Sequence, residues 1–256
     1  MGKHGVKLKF EAEVSSFEQT PQSPQYQPLP PWDLYTVLVC LLSGYILVPL
    51  LLSNVLLLVD PFMQKSEQLF VEQSVTLLTW LAIFGILQWK YGQLNRYLGF
   101  ALTRPRQYYL WETLLLLVAS NALTLLLSLF WMLLEHLKPG LPLGVDPYAD
   151  FTGSQLWVLA FFAVIIAPLL EEWIFRGLIQ STMHKFFSQA WSVIATGVIF
   201  MLLHASYLSN IKALAHVMVL GLCFGVWRER TGSLIPGMFA HWFNNGLATL
   251  LMFSKG

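Results

Sequence analysis

From Asp33 onward the chain alternates long apolar runs with short polar breaks, and few folds can satisfy that pattern. A helix needs about 20 consecutive, mainly apolar residues to cross the hydrocarbon core of a bilayer. Seven runs meet or approach that length: 34–59, 69–89, 110–134, 155–175, 191–208, 213–227 and 233–253. In lipid, every backbone polar group must be satisfied within its own segment, which selects helices over open strands. The expected fold is therefore an all-α, polytopic transmembrane helical bundle of about seven spans, with an eighth if one run is a re-entrant pair. Composition agrees, with 56% of residues hydrophobic and 11% charged, against about 25% charged in an ordinary soluble domain.

Three segments follow. Residues 1–32 read as a flexible, polar, Pro-rich N-terminal tail, because stretches such as Pro28-Leu29-Pro30-Pro31 bury too little apolar surface to offset their ordering entropy. No apolar core follows the first lysines closely enough for a signal peptide. Residues 33–135 supply N-terminal transmembrane helices, and 155–253 hold the residues with chemical potential. A net charge of +1 gives no basic field for nucleic acid. Cys40 and Cys223 sit in apolar runs, where a thiol behaves as a small hydrophobe.

Lysine and arginine set the expected orientation. Eleven fall in the tail and alternate loops: Lys3, Lys7, Lys9, Lys90, Arg96, Arg104, Arg106, Arg176, Lys185, Arg228 and Arg230. Lys65, Lys138, Lys212 and Lys255 fall on the other side, where Asp146 and Asp150 also lie. Basic residues stay cytoplasmic, so the N-terminus is expected inside and the C-terminus outside. The expected setting is a bacterial inner membrane, or a thylakoid or plastid membrane.

Three polar clusters interrupt the last four runs: Glu171-Glu172-Trp173-Ile174-Phe175-Arg176, Phe200-Met201-Leu202-Leu203-His204, and His241-Trp242-Phe243-Asn244-Asn245. A charge at membrane depth costs about 2.5 kcal/mol or more, so it faces a partner or a wet cavity. Helical neighbours point about 100° apart, so Glu171 and Glu172 face different ways. Glu172 precedes Arg176 by four residues, the favourable order for an intrahelical ion pair. Glu171 is then left to face a cavity. The i, i+4 spacing puts Phe200 one turn from His204, and His241 one turn from Asn245. A carboxylate, two imidazoles and an amide can hydrolyse an amide: the carboxylate takes a proton from water, an imidazole shares it, and His and Asn donors hold the oxyanion. Alternatively, Glu171, His204 and His241 could be the three protein ligands of a zinc ion with an open fourth position. Pro168 and Pro236 can each kink a helix beside these groups.

The ordered triplet E-E-x-x-x-R, F-x-x-x-H and H-x-x-x-N resembles the CAAX protease and bacteriocin-processing family of intramembrane endopeptidases. The resemblance covers residues 155–253. It implies a helical bundle in which Glu171 activates the attacking water with His204. His241 and Asn245 would stabilise the oxyanion, with Glu172, Arg176 and Phe200 in support. It leaves a zinc mechanism and a metal-independent glutamate mechanism equally open, and it implies a membrane-associated protein or peptide as substrate. Two readings from other classes compete: a non-catalytic scaffold or bacteriocin-immunity protein, and a small transporter that relays protons through Glu and His.

The catalytic reading makes a geometric demand. If the fourth span stopped at residue 175, Glu171 and His204 would lie well over about 10 Å apart in depth. One helix from about Gln155 to Met183 removes that gap. Glu171 is then expected within about 8 Å of His204 and His241, in a cavity open toward the cytoplasm.

Overall fold

The computed structural model describes residues 29–60, 62–100, 102–140, 143–144, 151 and 153–253, and all descriptions below are of these residues. The tail up to residue 28, Asp146, Asp150 and Lys255 lie outside them. Eight helices follow in order: α1 (34–59, with a π-helical stretch at Leu42–Leu47), α2 (Lys65–Tyr91), short α3 (Leu94–Leu98), α4 (Arg106–Leu137), α5 (Ser154–Met183), α6 (Gln189–Leu203), α7 (Ile211–Thr231) and α8 (Ile235–Phe253). Five, namely α1, α2, α4, α5 and α7, are long and apolar enough to cross a membrane. Helix α6 is apolar but shorter, and α8 carries His241, Asn244 and Asn245, which lower its mean hydropathy. The protein is an all-helical integral membrane protein, and about seven spans fit its helices.

Local chemistry explains the helix ends. The Asp33 side chain accepts from the Thr36 amide at the start of α1, and this bond holds its carboxyl below the usual carboxylate range. Gln64 and Glu67 form a capping box on α2. The Asn210 side chain caps α7, which stops at Gly232 in the left-handed region.

Helix α5 is the axis of the fold. Ile174, Phe175, Leu178 and Ile179 are fully buried among Val37 and Cys40 of α1, Trp80 and Phe84 of α2, Leu98 of α3, Phe200 of α6 and Met238 of α8. A helix that is apolar on every side is stable only when surrounded by others. It runs through to Met183, past the boundary at 175 that hydropathy gives. A smaller cluster joins Leu116 of α4, Cys223 and Phe224 of α7 and Ala240 of α8.

The bundle has two distinguishable ends. At one, Trp32 is buried against the rings of Tyr91 and Tyr97 and donates its indole N–H to Thr182. Sequence reading places Trp32 in the flexible tail, yet it is pinned here, and Lys185 donates to its carbonyl. Arg228 donates to the Leu98 carbonyl, and Arg230 grips Glu112 with two hydrogen bonds. Glu112 is buried in this pair, although its position near a helix end suggests a solvated or snorkelling carboxylate. At the other end, Gly144 bridges to Asn210, Lys212 pairs with Glu135 at 2.7 Å, and Trp157 packs on Phe253.

Candidate active site

Three helices bring the sequence-predicted residues together. Glu171 lies on α5, and its Oε2 is 3.6 Å from His241 Nε2 of α8 and 4.0 Å from His204 Nε2 at the end of α6. These separations are too long for direct hydrogen bonds and well inside the expected limit. Glu171 faces a cavity of about 270 Å³, lined also by Phe200, His204, His241 and Asn245.

His204 does not continue α6 as the i, i+4 pattern with Phe200 suggests. It is the residue on which the helix ends, with ψ of 56°. Leaving the helix lets its Nδ1 meet the Phe200 carbonyl at 2.7 Å. That acceptor assigns the proton to Nδ1, so Nε2 is the nitrogen that faces Glu171. The imidazole packs against the Phe200 ring at 4.5 Å and lies parallel to Tyr207 at 6.3 Å.

The neighbouring glutamate points the other way. Glu172 Oε1 is 3.1 Å from Arg176 Nη1, and both side chains are almost wholly buried. The same oxygen lies 3.5 Å from His241 Nδ1, a contact that spacing along α5 cannot reveal. His241 thus sits between two carboxylates. The Arg176 guanidinium is flanked by the rings of Phe200 at 4.6 Å and Phe224 at 5.3 Å and donates to the Gly221 carbonyl. Burial in that aromatic slot suits guanidinium, which is weakly hydrated and stacks on rings. Gly237 of α8 makes the arrangement possible, because a Cβ there would come within 2.7 Å of Glu172 Oε2.

Asn245 is held by a defect in α5. The π-helical stretch Phe162–Ile166 sends the Ala167 amide to the Phe162 carbonyl, and Pro168 has no amide to offer Ala163. The Ala163 carbonyl instead accepts from Asn245 Nδ2 at 2.8 Å, and the Ile165 carbonyl accepts from the Trp242 indole. Pro168 therefore docks α8 onto α5. The helical asparagine next door, Asn244, turns away to hydrogen-bond Asn121 of α4.

Sequence reasoning misses several cavity residues: Gln73 from α2, Ser206 and Tyr207 from the 3₁₀ turn after α6, and Thr249 from α8. None carries a charge or a recognisable spacing. His216 stays outside the cavity lining, bonded to Ser128 and to the Lys212 carbonyl, and His184 pairs with Glu229 at the Trp32 end.

Among the described residues, no three His, Cys, Asp or Glu side chains are grouped so as to hold a metal ion.

Residues 153–247 match the family model described as Rce1-like, type II CAAX prenyl endopeptidase Rce1-like. The match falls on the segment that holds all three motifs, and it is to the CAAX protease family that those motifs resemble. No curated protein and no solved structure matches the chain.

Proposed function

We propose that this chain, whose residues 153–247 match the Rce1-like CAAX prenyl endopeptidases, is an intramembrane endopeptidase that cleaves a membrane-associated protein or peptide. One observation carries the reading: the Glu171 carboxylate meets the Nε2 atoms of both His204 and His241 within 4.0 Å at a cavity.

In this mechanism a water beside Glu171 Oε2 gives up a proton to the carboxylate as its oxygen attacks the substrate carbonyl. His204, fixed by the Phe200 carbonyl, presents Nε2 to the same water and shares the proton. The developing oxyanion is held by Nε2–H of His241, whose ring lies between Glu171 and Glu172, and by the second amide hydrogen of Asn245. Glu171 then returns the proton to the departing amine. Glu172, Arg176 and Phe200 keep His241 in place and exclude water from behind it.

The test is incubation of purified protein with membrane-inserted peptides in water enriched in oxygen-18, with products identified by mass spectrometry. The expected result is two fragments, the new carboxyl group carrying one labelled oxygen, with no loss of rate on chelation. Rate loss on chelation with recovery on adding zinc would support the metal-dependent alternative through Glu171, His204 and His241. No cleavage of any peptide by a folded protein would favour a scaffold.

A further inference from the structure

Two adjacent asparagines hold α8 from different sides. Asn245 donates to the Ala163 carbonyl of α5 at 2.8 Å, while Asn244 meets Asn121 of α4. The polarity of the second contact is set from α4 outward. The Asn121 amino group donates to the Leu117 carbonyl of its own helix at 2.8 Å, and a carbonyl can only accept. Asn121 therefore turns its remaining amide hydrogen on α8, where the Asn244 oxygen accepts it at 3.0 Å. The Asn244 amino group is left to point at Ser120 Oγ, 3.4 Å away on a fully buried residue. That hydroxyl gives its own proton to the Leu117 carbonyl, so it has a lone pair for Asn244.

Neighbouring helical residues point about 100° apart, so bonds from Asn244 to α4 and from Asn245 to α5 fix the rotation of α8 about its own axis. By the same geometry His241 projects between them, roughly 60° from Asn244 and roughly 40° from Asn245. Its Nε2 lies 3.6 Å from Glu171 Oε2 and its Nδ1 3.5 Å from Glu172 Oε1. A turn of the helix would disturb both contacts together. About 6 Å from the axis, a rotation of roughly 10° displaces a side-chain atom by about 1 Å. A misplacement of that size can cost about 100-fold in rate. Neither Asn121 nor Asn244 lines the cavity, and Asn121 lies outside the residues 153–247 that match the family model.

We propose that Asn121 and Asn244 are positioning residues for the reaction: their amide pair sets the rotation of α8 and so presents His241 and Asn245 to Glu171 and the substrate. The reaction rests on the endopeptidase reading, whereas the setting of α8 rests on these contacts alone. Hydrogen bonds between membrane helices add little to stability, because a freed polar group finds another partner. A polar pair in an apolar interface instead selects one register over its neighbours, as a buried asparagine does in a coiled coil.

Cross-linking and kinetics test this together. A Cβ on Gly246 would lie 3.9 Å from Val164 Cγ1, which puts Val164→Cys and Gly246→Cys within reach of a disulfide across α5 and α8. Cys40 and Cys223 are buried, and the single-cysteine variants supply the background. Under oxidant in membranes, Val164→Cys with Gly246→Cys should close. Val164→Cys with Leu247→Cys, about 100° further round, should stay open. Adding Asn121→Ala, Asn244→Ala or both should let both pairs close. Without the cysteines, each of these variants should lower kcat roughly 10- to 100-fold with little change in KM. The double variant should lose no more than either single one, since the pair acts as a unit. It also leaves no unpaired amide, so it should melt within about 4 °C of wild type and decides the matter if a single variant fails to fold. Two results overturn the proposal: a folded variant that still closes only the Gly246→Cys pair, or one whose kcat stays within about twofold of wild type. If even wild type cleaves no peptide, the endopeptidase reading fails and the cross-links alone decide the setting of α8.

Discussion

Replacing Glu172 with glutamine keeps the shape of the side chain and removes its charge. Arg176, fully buried and 3.1 Å away, is left without its counter-charge in a slot walled by Phe200 and Phe224. Breaking a buried ion pair from one side costs about 3–5 kcal/mol. For chains of 150–250 residues each kcal/mol moves the melting point by roughly 2–4 °C, so a fall of about 10 °C is expected. Glu171→Gln is the matched control. Its carboxylate has no arginine partner and faces the cavity, so its loss should move the melting point by no more than about 2 °C. Removing both charges with Glu172→Gln plus Arg176→Met should recover much of the loss, because a well-packed apolar replacement of a buried pair is often neutral. Thermal unfolding of the three variants in one detergent, followed by tryptophan fluorescence, measures the differences. Equal melting points for Glu171→Gln and Glu172→Gln would refute the division of labour between the two carboxylates.

Other contacts give further expectations. Gly237→Ala puts a methyl group 2.7 Å from Glu172 Oε2, so it should destabilise by about 1–3 kcal/mol and lower kcat; an unchanged melting point would mean that α8 can back away freely. Pro168→Ala supplies an amide that competes with Asn245 for the α5 carbonyls, and kcat should fall roughly 10- to 100-fold with little change in KM. A change confined to KM would show that Asn245 serves binding alone. Trp32→Phe loses the bond to Thr182 and should cost about 1 kcal/mol of stability without altering kcat, as read by unfolding and turnover on the same preparation.

The helices and the site residues differ in how far the sequence discloses them. Apolar run length marks α1, α2, α4, α5 and α7, because a membrane span is a local requirement. It undershoots α5, since Arg176 and Gln180 read as a polar loop when taken alone, whereas the fold buries them against α7, with Gln180 bonded to the Gly225 carbonyl. Glu171, His204, His241 and Asn245 stand out because each is costly in an apolar run. Their supports are silent for the opposite reason. Gly237 matters through a Cβ it lacks, Pro168 through an amide it lacks, and the Ala163 carbonyl through backbone that any residue would provide. The Glu172–His241 contact joins residues 69 positions apart in the numbering and depends on how α8 crosses α5.

The central claim is that Glu171 activates the water that breaks a peptide bond. It is tested most directly by single-turnover cleavage of one membrane-inserted peptide by the wild-type chain and by Glu171→Gln, with peptide binding measured on both. A fall of at least about 10³-fold in the cleavage step is expected, with peptide affinity and melting point unchanged. Cleavage by Glu171→Gln within about tenfold of wild type would contradict the account, because an acceleration that survives loss of the carboxylate cannot depend on it.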